Sequence, residues 1–212
     1  MFIATGGFRI AYLGLNRYTP THMTPPKIIG LSGTFASGKD TLAHYLVETF
    51  GYMHVSTGDM VRQEAMRLRG SIERPVLHVV ATELRENQGA GDFAEQALKQ
   101  LQEHPKVKGV VVTGLRSLGE AKEITKAGGV ILFVDAAIER RYQRMVGRER
   151  DQETRISLED FKANEAGEWY GGPKDTDFNM RDIKKSADIV IENNANLETF
   201  LQTARQKLGL TQ

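Results

Sequence analysis

The run KIIGLSGTFASGKDT, from Lys27 to Thr41, constrains the fold of this chain more than any other stretch. KIIGL is short and apolar, with paired isoleucines that suit a buried strand. Gly33 and Gly38 then bracket four residues, Lys39 follows to give the spacing GxxxxGK, and DTLAHYLVETF continues with apolar residues at helical spacing. Strand, glycine-bounded turn and helix in succession make a phosphate cradle. The glycines let successive N–H groups point inward, the helix adds the positive end of its dipole, and Lys39 supplies a point charge for β- and γ-phosphates. Gly33, Thr34, Ala36, Ser37, Gly38, Lys39, Asp40 and Thr41 are the expected donor-binding residues. The same string can be an ordinary Gly-rich turn, and its place between strand and helix is what favours the cradle. The Ser or Thr that usually follows the lysine is Asp40 here, with Thr41 next.

Downstream, strand-like and helix-like segments alternate. YMHVS (Tyr52 to Ser56) leads into MVRQEAMRLRG, a helix closed by Gly70. Pro75 opens a second helical segment with Val76, Val79, Val80 and Leu84 on one side, and Asp92 can cap a third. GVVVT (Gly109 to Thr113) suits a central parallel strand, and Ser117 with Glu120 makes a capping box after it. GVILFVD (Gly129 to Asp135) repeats that pattern, ADIVIEN (Ala187 to Asn193) is the last strand, and Asn196 can cap a final amphipathic helix. The order predicts an α/β fold, a doubly wound parallel five-stranded sheet with helices on both faces. Two hundred and twelve residues suffice for one domain with insertions, expected over 27–212 after an extension at 1–26.

Lys+Arg of 28 against Asp+Glu of 27 leaves a net charge of +1, so no global attraction to nucleic acid or an anionic membrane is expected and any anion site must be local. The absence of cysteine removes thiolate metal sites and cysteine nucleophiles and accords with a reducing cytoplasm, the expected location. No stretch approaches the roughly 20 apolar residues that a membrane span needs. The first residues lack a basic start followed by an unbroken apolar core, so no secretory signal is expected. The five histidines show no metal-ligand spacing, and no nucleophile elbow is present.

STGDMVR (Ser56 to Arg62), taken with the first loop, resembles the nucleoside monophosphate kinases of the adenylate kinase type. That resemblance implies a P-loop NTPase fold with a small lid, ATP and Mg2+ as cofactors, and a nucleotide substrate held by Thr57, Asp59 and Arg62, the arginine on its phosphate. Thr57 and Asp59 can equally be helix-capping residues, with Arg62 on a solvated face. TGLRS (Thr113 to Ser117) resembles the family segment with a second phosphate-binding arginine, here Arg116. The family's acidic residue is Thr113 in this chain, so Thr41 and Asp59 are the metal candidates, and Asp40 or Asp59 can either hold magnesium-bound waters or be structural. RMVGR resembles the segment whose arginines bracket the ATP phosphates, which implies that Arg144 and Arg148 act catalytically with Lys39 and Arg116.

Arg141, Arg144 and Arg148 fall on one helical face by spacing. A polar, acidic segment follows, expected to be the lid at about 149–172, with the acceptor-binding insertion at about 57–105. Glu165 and Glu168 stand where the family's lids carry arginines, Arg155 is a weak substitute, and Trp169 with Tyr170 is either a base-stacking pair or packing. The expected activity is transfer of the ATP γ-phosphoryl group to a nucleoside or deoxynucleoside monophosphate, by a monomer or homodimer. The chain also resembles dephospho-coenzyme A kinases and kinase-like P-loop ATPases. A small-molecule kinase of that kind, or a nucleotide-sensing module without efficient transfer, are the alternatives.

Overall fold

The computed structural model describes residues 24–147 and 156–210. Five strands, β1 (Ile28–Gly33), β2 (Met53–Ser56), β3 (Val110–Thr113), β4 (Val130–Asp135) and β5 (Ile189–Glu192), form one sheet in the order β2-β3-β1-β4-β5. Every pairing is parallel, and Ser56, Thr113 and Leu31 stand level across β2, β3 and β1. β1 runs two residues further than its apolar run, so the sheet itself carries the chain into the first glycine of the motif.

Side-chain alternation divides the core between the two faces of the sheet. Ile29, Leu31, Val111, Leu132, Val134, Ile189 and Ile191 pack on one face against α1 (Lys39–Phe50) and α9 (Leu197–Lys207). On the other, Val110, Val112, Ile131 and Phe133 meet α4 (Asp92–Glu103), α5 (Leu118–Lys126) and α8 (Met180–Ser186). Strands buried on both faces read as unbroken apolar runs, which is why GVVVT and VILFV announce themselves.

The caps mostly follow the sequence. Gly70, left-handed at φ 64°, ends α2 (Thr57–Arg69); Ser117 and Glu120 form the capping box of α5; Asn196 accepts from Thr199 N–H at 2.9 Å. Two expectations are corrected. Ser56, and not Thr57 or Asp59, caps α2, because its hydroxyl is the one that reaches Asp59 N–H at 3.1 Å. Gly91 is the cap of α4, and Asp92 is its first residue, where its charge faces the helix dipole. α2, α3 (Arg74–Gln88) and α4 lie between β2 and β3, the span expected to bind the acceptor. α6 (Ile138–Val146) follows β4, and α7 (Leu158–Trp169) docks on the phosphate loop through Phe161, which is 2% exposed and packs with Phe35 and Tyr142. Among the described residues no helix is long and apolar enough to cross a membrane.

Candidate active site

A parallel sheet whose strand order reverses about β1 opens a crevice at the carboxyl ends of its strands, and the glycine loop lies there. The loop's backbone is held in an uncommon shape. Ser37 N–H closes a turn on Thr34 O at 3.2 Å, Ala36 is left-handed at φ 59° without being glycine, and Gly38 has φ 103°. A Cβ at Gly38 would strike the Asn193 amide. Two donors hold the Ser37 carbonyl: Asn193 Nδ2 at 2.8 Å and Arg144 Nη1 at 3.2 Å. Arg144 also binds Asn193 O at 2.9 Å. Thr34 donates to Asp135 at 2.8 Å, and Asp135 accepts from Ala136 N–H at 2.8 Å and Lys184 Nζ at 2.6 Å. Burial would raise the Asp135 carboxyl, but these donors, Lys184 foremost, hold it below the usual carboxylate range.

Lys39 opens α1, only 8% exposed, with its ammonium 3.5 Å from the Asp40 carboxylate. The Ser37 hydroxyl is buried and has no hydrogen-bond partner among the described residues. A strained loop, a buried lysine and an orphan hydroxyl at a helix start fit a polyphosphate, whose oxygens would supply the missing acceptors.

Clefts open on both sides of this loop. The first, about 210 Å³, is lined by Lys39, Asp40, Thr57, Arg62, Thr113 and Arg116, together with Arg74, His78, Arg85, Glu168 and Phe178. The second, about 180 Å³, is lined by Gly38, Thr41, Arg144, Asn193, Leu197 and Phe200.

Thr57, 2% exposed, sits in the first turn of α2, and Gly114 at φ 88° allows the turn after β3 to pass it, since a Cβ there would come within 2.7 Å of its hydroxyl. Arg62 bonds Asp59, its Nε at 3.1 Å from Oδ1. Burial raises the Asp59 carboxyl, but Arg62 and the Ser56 hydroxyl together bring it below its ordinary value. Arg116 places its backbone N–H on Glu120 Oε2 at 2.7 Å and its guanidinium on Glu168. Burial, then repulsion from Arg74 and Arg85, brings that guanidinium down to about 10. Thr113, where an acidic residue would help hold magnesium, instead meets His54 Nε2 at 2.8 Å. Burial and then His44 lower the His54 pKa, against an opposing pull from Asp40 and Asp59.

Residues 29–168 match the family described as AAA domain. A UPF0200 protein of Halobacterium salinarum is 30% identical over 86% of this chain and 93% of its own length. The chain belongs to the AAA domain family and to the UPF0200 proteins. A UPF0200 protein of Methanosarcina mazei is 29% identical over 86% of this chain and 94% of itself. An Archaeoglobus fulgidus UPF0200/UPF0201 protein is 32% identical over 86% of this chain, which spans 55% of that relative's length. Among solved structures, a Thermus thermophilus protein covers 89% of this chain and 100% of itself at 21% identity, with a TM-score of 0.56. Shikimate kinase from Acinetobacter baumannii in complex with shikimate covers 88% and 94% at 20% identity, with a TM-score of 0.50. The chain therefore has a P-loop α/β fold built on a parallel five-stranded sheet.

In this UPF0200 chain the expected donor and acceptor residues gather at one sheet edge, but not all in one place. Lys39, Asp40, Thr57, Arg62 and Arg116 share the first cleft, whereas Thr41 and Arg144 line the second. Thr41 and Asp59 share no cleft, and among the described residues no group of three His, Asp or Glu side chains is arranged to hold a metal. Arg148 and Arg155 lie outside the described residues, as do residues 1–23 of the extension. From the face of α6 that the spacing predicts, Arg141 and Arg144 both reach the loop: Arg141 Nη1 lies 3.4 Å from Phe35 O while Glu165 of α7 takes both its terminal nitrogens at 2.6 and 2.9 Å, and Arg144 donates to Ser37 O. Sequence reading missed Arg74, His78, Arg85 and Asn193. Only Asn193, at the end of the last predicted strand, carried a positional signal.

Proposed function

We propose that this UPF0200 protein transfers the γ-phosphoryl group of ATP to a nucleoside or deoxynucleoside monophosphate. The observation that carries the reading is the pair of clefts meeting at the Gly38–Lys39 turn, one lined by Arg62 and Arg116 and the other by Thr41 and Arg144. A donor and an acceptor entering from opposite sides would bring their phosphates together at Lys39.

In this reading the loop amides and Lys39 bind the donor's outer phosphates, and Thr41, Arg144 and Asn193 bind its inner part. Thr57, Arg62 and Arg116 fix the acceptor so that an oxygen of its phosphate attacks the γ-phosphorus as the bond to the β–γ bridging oxygen breaks. ADP carries away that electron pair. Lys39, Arg116 and Arg148 neutralise charge on the migrating group, and exclusion of water directs it to the acceptor. Magnesium, when bound, would supply charge neutralisation for the donor phosphates, and Asp40 and Asp59 are the carboxylates that would hold it, directly or through waters. Asp40 suits this role better than Thr41 because it lines the cleft that Lys39 enters.

A different small-molecule kinase would keep the donor side and change the acceptor. A nucleotide-binding module without efficient transfer is favoured by one observation, the Thr113–His54 pair in place of an acidic residue. Coupled ADP release tests these readings together, with ATP, magnesium and a panel of ribo- and deoxyribonucleoside monophosphates, dephospho-coenzyme A and shikimate. Turnover that depends on a monophosphate and is lost in Lys39→Ala and Arg62→Ala is expected. ATP binding with no acceptor-dependent release anywhere in the panel would overturn the transfer reading.

A further inference from the structure

Three guanidinium groups line the first cleft together: Arg74 and Arg85 from α3, and Arg116 from the turn after β3. Two carboxylates answer them. Glu120, fully buried, takes Arg85 Nε at 3.0 Å and is fixed in place by the N–H groups of Arg116 and Ser117. Glu168, from α7, bridges Arg74 Nη2 at 2.9 Å and Arg116. Glu120 belongs to the framework; Glu168 reaches in from a helix on the other side of the cleft. Arg85 is 2% exposed, lines the cleft, and its Nη1 has no hydrogen-bond partner among the described residues, an unusual state for a buried donor.

We propose that Arg74, Arg85 and Arg116 form a subsite for a phosphate monoester dianion, and that Glu168 is its built-in competitor, held there until the acceptor's phosphate displaces it. The proposal deepens the reading of the first cleft as the acceptor site and rests on it. Charge favours a phosphate over a carboxylate. With Glu168 withdrawn, the three guanidinium groups of this set face the single carboxylate of Glu120, an excess that a dianion offsets better than a monoanion. Guanidinium forks also suit the several oxygens of a phosphate, and Arg85 Nη1 gains the acceptor it lacks. Glu168 thereby sets a threshold for occupancy: a ligand without a dianionic group exchanges one carboxylate for another and gains nothing.

Trp169, the chain's single tryptophan, follows Glu168 directly and reports its release. The test is a tryptophan-fluorescence titration with inorganic phosphate at pH 8, in a Lys39→Ala background that weakens binding at the loop, with acetate as the monoanionic control. Removing the competitor by Glu168→Gln is expected to tighten phosphate binding about tenfold, because the free subsite becomes the populated state. Arg85→Lys, which keeps a charge beside Glu120 but loses the fork, is expected to weaken it and to lower the melting temperature without unfolding the protein at the assay temperature. Acetate is expected to compete poorly. Phosphate binding that is unaltered or weaker in Glu168→Gln, or acetate binding as well as phosphate, would overturn the proposal. If Arg85→Lys does not fold, the Glu168→Gln arm decides alone. No ATP or turnover enters this test. A subsite that behaves as expected in a protein without transfer sinks the transfer reading alone, and transfer with no effect of Glu168→Gln on phosphate binding sinks the subsite alone.

Discussion

Glu120 lies beneath the first cleft with no exposed surface, one carboxylate oxygen on Arg85 and the other on backbone N–H groups that shape the Arg116 turn. Breaking a buried pair by removing one partner leaves the other charge desolvated, so Glu120→Ala is expected to cost about 3–5 kcal/mol in chemical denaturation. His54 and His78 give the protein a pH response of definite sign. Burial lowers both from the ordinary 6.5, helped by His44 for one and by Arg85, Arg74 and Arg116 for the other. Their contribution is complete above 6.5, where folded and unfolded chains are both neutral, and is lost as pH falls through the lowered folded values, because the unfolded chain binds protons first. Urea unfolding between pH 7.5 and 5 should show declining stability, with a shallower decline in His54→Gln/His78→Gln. The place of Lys39 in the cleft was legible from the glycine loop, and that of Arg62 and Arg116 came through the resemblance carried by STGDMVR and TGLRS. Arg85 was not, because LRENQ on a helix reads as a solvated charged face, and only the fold brings Glu120, 35 residues away, beneath it.

At the scale of elements, α7 is the piece whose role depends most on docking. Its own sequence is weakly amphipathic, and it is held by Phe161 among Phe35 and Tyr142, by Glu165 on Arg141, and by Glu168 on Arg74 and Arg116. Phe161→Ala is expected to cost about 3–5 kcal/mol at the site, from lost burial and the cavity left behind. If that cost is borne by undocking of α7, amide exchange will quicken in Leu158–Trp169 while the β1 and β3 amides stay protected. Uniform loss of protection would mean that α7 is integral to the core. The strands and the longer helices were readable from periodicity and punctuation, Gly70 and the Ser117–Glu120 box among them. α8 was not, because seven residues of mixed polarity give too little periodicity to register. The pairing of Arg141 with Glu165 also escaped, since helical spacing sets a common face but neighbouring elements decide which partners long side chains find.

The whole molecule divides at β1. On one side, β3 and β2 carry the turn of Arg116 and the first turn of α2; on the other, β4 and β5 end at Asp135 and Asn193, which brace the loop from behind. The alternation of segments gave the parallel sheet, but the strand order rests on long-range pairing that no local pattern encodes. Two clefts open at the carboxyl ends of those strands, and Thr41 and Asp59 share neither. Direct transfer between the clefts is the central claim. It is tested most directly by incubating the protein with magnesium and ATP labelled in the γ-phosphoryl group, together with the monophosphate that best stimulates ADP release, and following the label. Label should appear in the corresponding nucleoside diphosphate and be absent from the product with Lys39→Ala. Label recovered only as inorganic phosphate, at a rate indifferent to the monophosphate, would contradict it.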